Sequence, residues 1–435
     1  MEYLGLKAIR GNIITLTDVT TPPPAYDHIV TIKIENQPPR TGRVIGISGH
    51  IVTVLVFEGT SGISQTNTAT TFTGKPMEIS LSPALLGRTF NSLGRPIDGL
   101  DEVTSHIKRP IQGSPINPTH RIYPRNYIHT GFSSIDGLTT LIRGQKLPIF
   151  STDGLPHDQL AAQIATQAKI EGEKFAVVFA AMGVQHQTAA FFRNTFEESG
   201  VLDRTIMYMN LANDPPTERL ATPRYALTAA EYLAYDLGYH VLVILTDMTA
   251  YGEALREISS TNGEIPSRKG YPGYLYSDLA SIYERAGIVK GGKGSLTQIP
   301  ILTMPGGDIT HPIPDLTGYI TEGQIVLDPT LWQRNIFPPI NVLPSLSRLM
   351  KDGIGEGFTT PEHPHIANKL FATYAQVGDT RALATIIGED ELTPHDMKIL
   401  RFGKAFETEF VNQSPLESRS MAETMDIAHA LLATI

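Results

Sequence analysis

Hydrophobic and polar positions first follow a strand period. In Ile29-Val30-Thr31-Ile32-Lys33-Ile34, residues 30, 32 and 34 share an apolar face, with Thr31 and Lys33 opposite, as in a half-buried strand. Ile51-Val52-Thr53-Val54-Leu55-Val56-Phe57 is apolar on both sides and predicts a fully buried strand. Gly11, Pro22-Pro23-Pro24, Gly46, Gly49 and Gly59 punctuate the segments. Short strands between turn signals, with no helical period, predict a small closed β-barrel over residues 1–72. From residue 73 the period changes. Apolar strand patterns at 175–181, 205–211, 240–246 and 298–304 alternate with amphipathic helix patterns at 157–170, 188–199, 218–237 and 277–286. That alternation predicts an α/β domain over 73–345, with a parallel sheet covered on both faces. Ligands of such sheets bind at the carboxyl ends of the strands. Residues 346–435 predict a helical bundle with stretches at 366–374 joined to 381–387, 395–410 and 421–435. Thr393-Pro394 and Ser414-Pro415 read as helix starts. The fold class is multidomain α+β.

Composition narrows the function. The 435 residues suit two or three domains, and 41% apolar content supports buried cores over disorder. Asp plus Glu number 44 against 35 Lys plus Arg, a formal charge of −9. No basic surplus exists to neutralise phosphates, which excludes a general nucleic-acid binder. The absence of cysteine removes disulfides, thiolate metal sites and cysteine nucleophiles, and fits a reducing compartment. Val241-Leu242-Val243-Ile244-Leu245 is the longest aliphatic run, far short of the ~20 residues a bilayer span needs. Met1-Glu2-Tyr3-Leu4-Gly5-Leu6-Lys7 has no basic region leading into an apolar one, so no secretion signal is expected. The expectation is a soluble, cytoplasmic chain.

One loop has the position of a phosphate site without its chemistry. Ile149-Phe150 ends an apolar approach, Ser151-Thr152-Asp153-Gly154-Leu155-Pro156-His157-Asp158 follows, and a helix begins. A working phosphate loop reads GxxxxGK[ST]. Here Ser151 and Pro156 replace the two glycines, His157 the lysine and Asp158 the hydroxyl. Proline has no amide to donate, and a unit charge facing a phosphate at about 4 Å costs roughly 4 kcal/mol at an effective dielectric of 20. Pro156-His157-Asp158 also reads as a plain helix start, and His157 as an unusual phosphate ligand. The loop is expected not to bind nucleotide. The buried run 240–246 ends in Asp247, for which a vestigial role or hydrogen bonding among the loops is expected. His311 has no second ligand at helical spacing and predicts no metal.

Several blocks together resemble a family. Leu86-Gly87-Arg88-Thr89-Phe90-Asn91-Ser92-Leu93-Gly94-Arg95-Pro96-Ile97-Asp98-Gly99 resembles the opening of rotary ATPase head subunits. Thr130-Gly131-Phe132-Ser133-Ser134-Ile135-Asp136-Gly137, Arg143-Gly144-Gln145-Lys146-Leu147-Pro148-Ile149-Phe150, Gly270-Tyr271-Pro272-Gly273-Tyr274-Leu275-Tyr276-Ser277-Asp278 and Gly318-Tyr319-Ile320-Thr321-Glu322-Gly323-Gln324-Ile325 narrow it. Over its whole length the chain resembles the non-catalytic B subunit (beta chain) of V-type and archaeal A-type ATPases. Gly154-Leu155-Pro156-His157 is typical of that subunit, while Thr152 and Asp153 depart from the small pair expected before Gly154.

The resemblance implies a central RecA-like P-loop domain with a degenerate phosphate loop. It also implies a ring of three A and three B subunits with catalytic pockets mostly built by A, central shaft subunits D and F, and peripheral stalk subunits E and G. ATP or ADP with magnesium then belongs at the interface with A, none being bound by this chain alone. Hydrolysis or synthesis is coupled to H⁺ or Na⁺ flow through a separate membrane sector, which this chain meets only indirectly. In Ile340-Asn341-Val342-Leu343-Pro344-Ser345-Leu346-Ser347-Arg348 an apolar strand brings Arg348 to a loop edge. In the family the matching residue is the arginine finger reaching the A-bound nucleotide. Tyr319, Thr310 and Ser345 fall near that edge by the same alignment, with packing or turn roles as the other reading. The competing functions are a self-sufficient homohexameric motor ATPase and a binding scaffold.

Overall fold

Residues 5–17, 24–170 and 172–435 are described by the computed structural model, with the backbone of residues 2 and 3. Pro22 and Pro23 of the turn signals, and Met1 and Leu4 of the leader expectation, lie outside the described residues. Among the described residues, seven strands open the fold: β1 (Glu2–Tyr3), β2 (Leu6–Arg10), β3 (Ile13–Leu16), β4 (His28–Ile34), β5 (Arg40–Ser48), β6 (Ile51–Val56) and β7 (Thr68–Pro76). They pair in the order β1-β7-β4-β5-β6-β3-β2. The two outermost strands are neighbours in sequence, so one stretch of chain pairs with β7 and then with β3. This draws the sheet into a barrel and leaves few unpaired edges. Val30, Ile32 and Ile34 point inward as their alternation predicts. Leu55 points outward and is buried with Ile13 against Ile258 of the next domain. The two-sided apolar character of the 51–57 segment thus serves the barrel core on one face and a domain contact on the other.

The central sheet follows. A short ribbon pairs β8 (Glu78–Ser80) with a later strand, β9 (Thr89–Asn91) joins the main sheet, and β10 (Lys108–Pro110) completes the ribbon. After the single-turn α1 (Ser133–Asp136) come β11 (Ile149–Ser151), α2 (His157–Gln167), β12 (Phe175–Val184), α3 (His186–Glu198), β13 (Thr205–Leu211), α4 (Pro216–Glu231), β14 (His240–Thr246) and α5 (Met248–Asn262). Then follow α6 (Leu275–Tyr283), β15 (Ser295–Thr303), α7 (Pro312–Ile320), β16 (Gly323–Leu327), α8 (Pro329–Gln333) and β17 (Ile340–Ser347). The strand order is β17-β16-β11-β15-β14-β12-β13-β9, parallel except for β17. Along β14 the side chains alternate between two cores. Leu242 and Ile244 face α2, α3 and the C-terminal helices, while Val241, Val243 and Leu245 face α4 to α7.

Besides the short α1 and α8, two longer helices escaped the sequence reading. In α5, Met248, Tyr251, Leu255 and Ile258 are buried at helical spacing, capped by Asp247 at the start and left-handed Gly263 at the end. α7 was masked by Pro312 and Pro314, which its first turn accommodates. The C-terminal bundle consists of α9 (His363–Ile387), α10 (Pro394–Ala405) and α11 (Met421–Leu432). The joined stretches at 366–374 and 381–387 form one uninterrupted helix, in which Ile366, Leu370, Tyr374 and Val377 make a continuous buried stripe. Thr393 caps α10 through a reciprocal box with Asp396. Ser414-Pro415 starts no helix. It opens a turn tied to Glu417, and Ser420 caps α11 instead.

Candidate functional site

The loop after β11 bonds partly to itself. Leu155 N–H donates to the Thr152 carbonyl (3.2 Å) and His157 N–H to the Leu155 carbonyl (2.9 Å), while Pro156 between them has no N–H. Gly154 takes the left-handed conformation (φ +81°) that turns the chain into α2. Ser151 Oγ lies 3.0 Å from His157 Nδ1, and His157 Nε2 lies 3.8 Å from Asp158 Oδ1. Asp247, at the end of β14, is held by Thr249 N–H (2.7 Å) and Thr303 Oγ1 (2.6 Å), the hydrogen-bonding role expected of it. Burial raises the Asp158 carboxyl, His157 opposes this and Asp247 adds to it. Burial likewise raises Asp247, against its hydrogen bonds and the His157 charge. Two of the loop's amides thus bond within the loop, and two half-buried carboxyls stand beside it.

The second region lies on the β17 edge. Arg348 follows β17 directly and is exposed, and among the described residues its guanidinium makes no hydrogen bond or ion pair. Its backbone N–H donates to the Glu322 carbonyl at 2.9 Å. Arg348, Tyr319, Thr310, Gln324, Asp315 and Phe150 line a cleft of about 300 Å³ between α7 and the outer strands. Two of the three residues expected near Arg348 are therefore in the same cleft. Tyr319 is 75% exposed. Thr310 is held by Asp308 through its N–H (2.9 Å) and hydroxyl (2.6 Å). Ser345 lies elsewhere. It is buried, donates to the Asn341 carbonyl (2.6 Å) and accepts from Val326 N–H (2.9 Å), tying β17 to β16.

The Arg348 backbone and the loop after β11 start from different levels of the sheet. Arg348 is level with Glu322, just before β16, whereas Ser151 is level with the end of β16. The backbone offset is roughly five residues, about 16 Å along the strands. Of the exposed apolar side chains, Tyr319 and Ile309 (45%) line the cleft with Arg348, and Leu346 (51%) and Leu343 (38%) lie along β17 before it. Clustered exposed apolar side chains mark an interaction surface. His311 caps α7 and packs edge-on against Tyr271. Among the described residues no group of three or more His, Asp or Glu is arranged to hold a metal ion, and no helix is long and apolar enough to cross a membrane. The sequence reading missed Gln324 and Asp315 in the cleft. Gln324 lay inside a quoted motif and Asp315 four residues after His311, but only the packing of α7 brings them to Arg348.

Comparison with known proteins covers the whole chain. Residues 131–347 match the model of the ATP synthase alpha/beta family, nucleotide-binding domain. Residues 7–74 match the beta-barrel domain of that family, and 352–435 match the C-terminal domain of V and A type ATP synthase. The chain is 59% identical to V-type ATP synthase beta chain 2 of Clostridium tetani, over 100% of this chain and 95% of the relative. It is 53% identical to the B subunit of the A-type ATP synthase of Aeropyrum pernix, over 100% and 94%. Among solved structures it is similar to the unique ATP synthase subunit NeqB of Nanoarcheaum equitans, with TM-score 0.77 and 40% identity, covering 94% of this chain and 98% of that one.

Proposed function

Because the chain belongs to the ATP synthase alpha/beta family, as a B-type (beta) subunit of V/A-type rotary ATPases, we propose that it completes a neighbour's nucleotide site and runs none of its own. The observation that carries this reading is Arg348, an exposed guanidinium unpaired among the described residues, on a fixed backbone that starts about five residues along the sheet from the chain's own loop. Phosphoryl transfer is mostly positioning and charge stabilisation, and an arginine supplied from outside is worth about 10³–10⁵ in rate. Arginine suits the task because it is always charged and binds phosphate oxygens two at a time. In this reading Arg348 reaches Mg·ATP held by the catalytic A subunit in a ring of three A and three B. Tyr319 and Thr310 form the rim of that contact, and Ser345 keeps β17 straight behind it.

The degenerate loop Ser151, Gly154, Pro156, His157 and Asp158 then makes this a regulatory and structural subunit. The shaft (D, F), peripheral stalk (E, G) and ion-translocating sector belong to the same assembly, which moves H⁺ or Na⁺ as ATP is split or made. The chain is placed by this reading in the cytoplasmic head, peripheral to the membrane.

Two measurements test the proposal. Titration calorimetry with Mg·ATP is expected to detect tight binding only when the A subunit is mixed with this chain. Tight uptake by the chain alone would instead favour a self-sufficient motor. Arg348→Lys is expected to lower turnover of the assembled ring by a factor approaching ~10³ while leaving assembly intact. An unchanged rate in an intact ring refutes the finger.

A further inference from the structure

Beneath Arg348 lies a polar network built around a buried lysine. Lys146 is 2% exposed, and its ammonium sits 2.8 Å from Glu322 Oε1 and 2.8 Å from Glu284 Oε1. Lys146 N–H donates to Glu322 Oε2 (2.8 Å), and the Lys146 carbonyl accepts from Glu322 N–H (3.1 Å). Both the main chain and the side chain of Glu322 are thus held by one residue. Its carbonyl in turn accepts from Arg348 N–H (2.9 Å) and Gln145 Nε2 (3.1 Å). Gln145 Nε2 also reaches Ser347 Oγ (2.9 Å), and that hydroxyl donates to the Thr140 carbonyl (2.9 Å). Arg121 pairs with the other carboxylate oxygen of Glu284 at 3.1 Å, so two cations meet two anions and the cluster is neutral.

Stability alone does not explain a lysine at this position. A buried ion pair gains about as much as its desolvation costs, and apolar replacement is often neutral or better. Positional definition is what such a network supplies, because each member has one geometry that satisfies all its partners. Here the geometry it defines is the residue to which the Arg348 backbone is attached.

Resting on the finger reading above, we infer that Lys146 and Glu322 are positioning residues for Arg348. Neither lines the cleft. They act by fixing the carbonyl that sets where the guanidinium starts from. A misplacement of about 1 Å at a reacting group costs up to ~10²-fold in rate.

The experiment uses the ring assembled with A subunits and single-turnover ATP hydrolysis. Glu322→Gln, which keeps the carbonyl and removes one charge, and Lys146→Met are each expected to lower the chemical rate about 10–10²-fold, with KM for ATP unchanged. Lys146→Arg is expected to recover most of the loss. Either variant combined with Arg348→Lys is expected to be no slower than Arg348→Lys alone. Full rate in Glu322→Gln rings, or losses that multiply in the double variants, overturns the inference and leaves the finger standing. A full rate for Arg348→Lys itself sinks the finger reading first. Should Lys146→Met rings fail to assemble, the Glu322→Gln rate and its double variant decide the matter.

Discussion

Around Arg348, single atoms decide what the chain offers. Among the described residues the guanidinium is left without partners, whereas Ser345, three residues earlier, has its hydroxyl used twice within the sheet. Their shared place in the motif did not separate the two, and burial did. Glu218 is a second case. It lies in the first turn of α4, and burial, with Asp214 and Glu58 close by, pushes its carboxyl up to about 7. The folded chain therefore keeps a proton that the unfolded chain gives up near 4.5. Stability from this group is present below 4.5 and falls as pH rises to about 7. Glu218→Gln is expected to raise stability at pH 8 by up to about 3 kcal/mol and to change little at pH 4. Thermal melts at the two pH values check this, and an equal shift at both contradicts it.

At the level of elements, β16 and β17 approach unusually closely under Arg348. A Cβ on Gly323 would stand 2.0 Å from the Leu346 carbonyl oxygen, and its φ of +134° is one that side chains resist. Gly323→Ala is expected to separate the two strands and to cost about 1–3 kcal/mol. Because Glu322 is the adjacent residue, the rate of the assembled ring should fall with it. Denaturation midpoints and turnover check the two effects together, and a variant with wild-type values in both excludes this account. The glycine stood inside a quoted motif, but its reason is a contact between strands whose pairing the sequence did not show. α5 gives the opposite case. Its apolar spacing, its Asp247 cap and its Gly263 stop were all present in the sequence. Reading Asp247 as a carboxylate at the end of a strand hid the helix it caps.

Across the molecule, the C-terminal bundle is joined to the sheet by Glu407. Its carboxylate takes bidentate hydrogen bonds from Arg334 (2.6 and 3.1 Å), beside α8, and from Arg381 (2.8 and 3.0 Å) of α9, and another from Tyr374 (2.8 Å). Burial alone would raise this carboxyl, but the hydrogen bonds from Arg381, Arg334 and Tyr374 hold it below the ordinary value. Its contribution is complete above about 4.5 and is lost as pH falls through the lower folded value. Glu407→Gln is expected to cost about 1–3 kcal/mol at pH 7 and to flatten the loss of stability in acid. Melting curves between pH 7 and 3 measure both, and a variant as acid-sensitive as the parent argues against this link.

Periodicity alone determined the succession of barrel, parallel α/β sheet and helical bundle, because burial on one face or on two leaves a local signature in each segment. The loop's departure from the phosphate-binding pattern was equally local, since it lies in the side chains at 151 to 158 and in a proline that lacks an N–H. The tertiary structure decided which residues share a surface. Arg348 meets Tyr319, Thr310 and Gln324 only because an antiparallel edge strand returns beside β16 under α7. Lys146 reaches Glu322 across 176 positions of chain. Contacts at that separation depend on strand order and register, which no window of neighbouring residues encodes.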